Sequence, residues 1–154
     1  MTTDYIVASL PALAFGESAP MTWAEFEALV GGRIAAKMRE WGDIETQLRN
    51  AAAEARGGAN RRRRADGCSL YWRGRILDCF AEKDVAARDE MIDRVWWDAA
   101  GELADVADPL GKGALAAYAV RLKIAIRRTS ISKDAGNAAF DRLASSRRDV
   151  AQVG

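Results

Sequence analysis

Apolar residues recur at spacings of three and four along most of this 154-residue chain, and almost nowhere do they alternate. A period near 3.6 lays a buried stripe along a helix, whereas a half-buried strand needs a period of two. Trp23, Phe26, Val30, Ile34, Met38 and Trp41 follow at 3, 4, 4, 4 and 3, and Ile92, Val95, Trp96, Ala99, Leu103 and Val106 at 3, 1, 3, 4 and 3. Leu115, Tyr118, Leu122, Ala125 and Ile126 form a third stripe. The pattern predicts an all-α, single-domain bundle of about five to six amphipathic helices over 1–154, packed helix on helix. A chain this long buries roughly 70% of the surface its unfolded form exposes, enough for one sizeable core.

Local signals set the expected boundaries. Pro11 and Pro20 bracket residues 12–19, so 1–21 reads as an extended lead-in pinned to the body, because proline fixes its own φ and disfavours helix in the residue before it. Thr22-x-x-Glu25 is a capping box opening a helix that Gly42 is expected to stop, with Gly31 and Gly32 weakening its middle. Asp43 would cap a second helix, burying Ile44, Leu48 and Ala51 or Ala52, ended by Gly57-Gly58. Residues 57–67 read as an exposed Arg-rich loop, and 68–80 permit a helix despite Gly74. A long helix is expected from Val85 to about Val106. Asp108-Pro109 should open another, running to about Arg128. Ser132 would cap a last helix through Phe140 and Leu143 to about Val150, with 151–154 frayed.

Composition narrows the chemistry. The chain has no histidine, which removes the commonest metal ligand and the commonest general base together. Cys68 and Cys79, eleven apart, match no ligand spacing and read as buried or free thiols. No catalytic residues, metal or cofactor are therefore expected, and the expectation is a protein that is not an enzyme. The net charge of +1 gives no global attraction to a polyanion, so any basic patch has to be local. The apolar run from Tyr5 to Leu10 is too short for a signal-peptide core or a membrane span. A cytosolic location is expected, with any membrane association made through a partner.

Two groups of side chains stand out as candidate sites. Arg61, Arg62, Arg63 and Arg64, with Arg73 and Arg75 nearby, have the chemistry to hold phosphates or an acidic partner by charge-assisted contacts, against the plainer reading of a solvated loop. Arg121, Lys123, Arg127 and Arg128 wrap one helix as a candidate docking face or as solvated surface. Trp23, Trp41 and Trp96 fall on helix stripes and should pack. Trp72 and Trp97 lie beside the stripes and would anchor a protein interface if exposed. Asp89, Glu90 and Asp93 read as first-turn acids favouring the helix dipole.

Four segments together carry a resemblance. They are Tyr5-x-Val7-Ala8-Ser9-Leu10-Pro11-x-Leu13-x-Phe15-Gly16 followed by Glu25-Phe26; Trp41-x-x-Ile44-Glu45-x-x-Leu48-Arg49-Asn50 with Arg56; Glu90-x-Ile92-Asp93-x-x-Trp96; and Tyr118-x-x-x-Leu122-Lys123-Ile124-x-x-Arg127 with Gly136-x-x-x-Phe140-x-x-Leu143. Spread over nearly the whole chain, they resemble a bacterial family associated with V-type ATPase (ATP synthase) subunits, whose members look like relatives of the helical subunit that caps the membrane rotor ring. The chain departs from that pattern in being short and in carrying Arg61 to Arg64. The resemblance implies a non-catalytic subunit or assembly factor, acting through contacts with V-type ATPase subunits and peripheral to the inner membrane through that complex. The alternative expectation is a small nucleic-acid-binding module built on the Arg61 to Arg64 loop.

Overall fold

The computed structural model describes residues 1–57 and 69–153, with side chains through Arg147. Its helices are α1 (Thr3–Ser9), α2 (Trp23–Val30), α3 (Ala35–Ala55), α4 (Leu70–Cys79), α5 (Val85–Ala100) and α6 (Lys112–Val153), with a 3₁₀ turn at Gly101–Leu103. No strand occurs among the described residues. The all-α bundle expected from the apolar period is the fold observed. α3 packs on α4, α4 on α5 and α5 on α6, while α1 and α2 lie against α6. Ile6, Phe26, Leu48, Ile76, Val95, Leu103, Leu115 and Leu122 are the largest fully buried side chains, so every helix and the 3₁₀ turn contribute to one core.

The lead-in is not extended throughout. Thr2 caps α1 by accepting from the Tyr5 amide, Asp4 stands in the first turn, and buried Ile6 anchors the helix to the body. Pro11 acts only where its steric reach extends, on Leu10, which leaves the helix at φ −64° and ψ 140°. Beyond it, hydrogen bonds fasten the segment to α6. The Tyr118 hydroxyl donates to the Pro11 carbonyl at 2.8 Å, and the Ala19 amide donates to Thr129 Oγ1 at 3.0 Å.

Which glycine ends which helix differs from expectation. Thr22 caps α2 as predicted, accepting from the Glu25 amide. The helix then stops at Gly31, whose φ of +57° is open to glycine and strained for other residues. Gly42 lies inside α3, where Trp41 Nε1 donates to Glu45 across it at 2.9 Å, and so Asp43 caps nothing. Gly57, at φ +79°, follows the end of α3 as expected. α5 ends at Ala100, and Val106 is exposed.

The start and length of α6 also depart from the local signals. Asp108 belongs to a tight turn, accepting at its carbonyl from the Gly111 amide, and helical bonding begins with the Leu115 amide on Gly111. At Gly113 an added Cβ would collide with the Leu103 carbonyl, so the 3₁₀ turn and α6 meet where no side chain fits. Past Arg128 the helix continues. Thr129 Oγ1 donates back to the Ala125 carbonyl at 2.7 Å, which uses the hydroxyl within the helix, and Ser132 caps nothing. The helix runs to Val153, so the fraying expected from 151 is not seen before that residue.

Candidate functional site

The cationic face of α6 divides in two. Each residue advances about 100° around a helix, so Arg121 and Arg128 turn toward the lead-in and α5, while Lys123 and Arg127 lean toward α3. Arg121 Nε donates to the Trp97 carbonyl at 2.9 Å, and its guanidinium stands 5.6 Å from the centre of the Trp97 ring. Burial, with the like charge of Arg94, pulls its pKa below the ordinary arginine value against the opposing pull of Asp98. Arg121 is therefore a structural cation.

Trp97 is 8% exposed and meets the edge of Phe15 at a ring separation of 5.5 Å. Its indole is a core group and not the surface anchor that its place beside the stripe allowed. Trp72 is buried too. The reason is tertiary: α5 is covered on two sides, by α4 and by α6 with the lead-in, so residues adjacent to its main stripe are enclosed as well.

Asp93 corrects the reading of the acids. With Asp84 as the N-cap of α5, Asp93 lies more than two turns inside the helix and is 8% exposed. It accepts from Arg127 Nη2 and from Arg128 Nη1, the latter at 2.9 Å, and Arg128 also reaches Glu90 at 3.7 Å. Arg127 and Arg128 are thus placed mid-helix, bound to a buried carboxylate, and do not form the last turn of a helix. The guanidinium groups of Arg94 and Arg128 each lie 5.0 Å from the Phe15 ring centre.

Lys123 is exposed, with its ammonium 4.4 Å from the Trp23 ring centre. Beside it opens a cavity of about 370 Å³ between α3, α5 and α6. Trp96, Ile92 and Ile124 supply its apolar wall, and Arg49, Lys123 and Arg127 its cations, with Glu45 and Asp93 as acids. Both acids are engaged: Glu45 by Trp41 and Arg49, and Asp93 by its two arginines. Lys123 forms no ion pair among the described residues. Arg49 and Arg127 are paired with those acids, so Lys123, beside the apolar wall, is the cation left to meet a carboxylate carried on an apolar surface.

The second candidate group is neutralised where it is described. Arg73 Nε donates to Glu54 at 2.9 Å, and Arg75 Nη1 donates to Asp98 at 2.8 Å, which raises the Arg75 pKa further above its ordinary value. Arg75 also lies 5.6 Å from the Trp72 ring centre. Arg61, Arg62, Arg63 and Arg64 lie outside the described residues. No cluster of three or more potential metal ligands occurs among the described residues. Cys79 is buried and unpaired, and burial pushes its thiol above the ordinary value.

The pocket residues that sequence reasoning did not single out as a site are Glu45, Arg49, Ile92, Asp93, Trp96 and Ile124. All eight lining residues fall in three short stretches, 45–49, 92–96 and 123–127, at helical spacings of one, three and four, so periodicity puts those of each stretch on one helix face. No helix among the described residues is long and apolar enough to cross a membrane. No family model, no curated protein and no solved structure matches the chain.

Proposed function

We propose that the chain is a non-catalytic helical subunit or assembly factor of a V-type ATPase, docking acidic side chains of a partner subunit in the pocket between α3, α5 and α6. One observation carries this reading. Three of the four segments that resemble the ATPase-associated family, distant in sequence, supply every residue of that pocket, while the fourth, the lead-in, is tied to α6 through Tyr118 and Pro11. The lack of histidine accords with a role made of shape and contact.

The nucleic-acid reading gains no support from Arg73 and Arg75, which are taken up by Glu54 and Asp98. Tagged full-length protein purified from its native host is expected to bring V-type ATPase subunits with it. Lys123→Glu is expected to weaken that association while keeping helicity by circular dichroism. If ATPase subunits never accompany the wild type, the proposal fails; equal recovery with the variant removes the pocket from it. Arg127 and Arg128 are unsuited to this test, because reversing either sets a carboxylate against Asp93.

A further inference from the structure

One stripe of α6 is covered in its first half and bare in its second. Leu115, Tyr118, Leu122, Ala125 and Thr129 follow at 3, 4, 3 and 4, and they meet the core and the lead-in. The same stripe continues as Lys133, Gly136, Phe140, Leu143 and Arg147, at 4, 3, 4, 3 and 4. There, from Ser130 to Arg147, every residue but Ala144 is exposed. Phe140 and Leu143 are 71% and 67% exposed. The segment is long, about 36 Å for the residues from Ser130 to Val153 at 1.5 Å each.

A free-standing helix of this composition is marginal in water. Gly136, Asn137 and a run of serines are poor helix formers, and helices of this kind draw most of their stability from packing an apolar face. The positions flanking Phe140 and Leu143 on this face are small, namely Asn137, Ala139, Ala144 and Ser146, so a second helix can approach closely. At the base of the stripe lies a groove of about 530 Å³, lined by Met21, Trp23, Glu25, Ile126, Thr129 and Lys133 among others. Groove and stripe share Thr129 and Lys133, and so form one continuous surface.

Charge decides what fits. Lys133 and Arg147 bracket the Phe140–Leu143 pair on the stripe itself, whereas Asp134 and Asp141 lie about 100° or more around the helix. A second copy is a poor occupant. Paired in parallel, Lys133 meets Lys133; paired antiparallel with Phe140 on Leu143, Lys133 falls one turn from Arg147 of the other copy. We infer that residues 130–147 are a docking strip for an amphipathic helix of another protein, one whose apolar face is bracketed by acidic side chains. The inference rests on the reading that the chain works by docking to proteins, and not on the partner being an ATPase subunit.

The test uses the full-length chain and two synthetic helical peptides labelled with fluorescein, read by fluorescence anisotropy at low salt. Each peptide carries a pair of leucines three residues apart, bracketed one turn away on one side and two turns away on the other by Glu in one and by Lys in the other. The Glu peptide is expected to bind, and the Lys peptide to bind about tenfold more weakly or not at all. Phe140→Ser with Leu143→Ser should cost the Glu peptide at least about tenfold in affinity. Lys133→Glu with Arg147→Glu should reverse the preference between the two peptides. Hydrogen exchange across 130–147 should slow when the Glu peptide is added.

Equal binding of both peptides, no binding of either, or indifference to the variants overturns the inference. So does a dimer in sedimentation velocity that Phe140→Ser abolishes, since the strip would then belong to a second copy. Co-purification with ATPase subunits is a separate outcome: its failure with peptide binding intact sinks only the ATPase assignment, and the converse sinks only the strip.

Discussion

Asp93 on α5 holds Arg128 on α6 at 2.9 Å, and that pair ties the two helices together beneath the Phe15 ring. Arg127 shares the same carboxylate, so one buried acid organises two adjacent cations that helical periodicity alone would point in different directions.

Removing Asp93 would leave both guanidinium groups facing an emptied site. Because Arg127 and Arg128 keep partial solvent access, Asp93→Ala should cost about 1–3 kcal/mol, below the 3–5 of a fully enclosed pair. Urea unfolding at neutral pH measures it, and a change under about 0.5 kcal/mol would show the carboxylate to be dispensable.

Tyr118→Phe deletes the hydroxyl that donates to the Pro11 carbonyl, and should cost about 1 kcal/mol. Its pH behaviour separates it from a packing change. Burial raises the Tyr118 pKa above the ordinary 10.0, so above about pH 10 the unfolded chain gives up the phenolic proton more readily than the folded one. The unfolded state then binds fewer protons, and unfolding free energy falls as pH climbs from 10.0 through the folded value. The contribution is complete below that window. Denaturant midpoints of wild type and Tyr118→Phe should therefore converge at alkaline pH.

Two leucines on one stripe of α6 should respond very differently. Leu122 is fully buried, and Leu122→Ala should cost about 2–5 kcal/mol by opening a cavity. Leu143, largely exposed, should change stability by no more than about 0.5 kcal/mol as Leu143→Ala. Matching losses in chemical denaturation would mean that the far half of α6 packs within the same molecule.

Gly113→Ala should destabilise by about 1–3 kcal/mol, since the new methyl collides with the Leu103 carbonyl and forces the 3₁₀ turn off α6. Gly42→Ala meets open space within α3 and should stabilise by about 0.5–1 kcal/mol through helix propensity. Thermal melts of the two variants should move in opposite directions.

The helical class and most of the core were legible because a 3.6-residue period is a property of sequence alone. Phe26, Val30, Leu48, Val95, Leu115 and Leu122 all lie where the stripes place them. Boundaries were less legible. Gly31 and Gly42 look alike as letters, yet one takes a positive φ and ends a helix while the other sits within one. Ser132 has the chemistry of a cap but stands in an unbroken helix, because no residue between Arg128 and Ser132 interrupts its backbone bonding.

The sequence by itself determined an all-α chain without histidine chemistry, and it held in three separated segments the residues of the pocket. Tertiary structure alone decided which charges are spent inside the molecule and which face outward. Arg73, Arg75, Arg121 and Arg128 find carboxylates or a carbonyl on other helices, while Lys123 and Lys133 find no carboxylate among the described residues. It also decided that Trp97 is enclosed and Phe140 bare. Burial depends on what a neighbouring element covers, and helical periodicity gives the direction of a side chain without telling what stands opposite it.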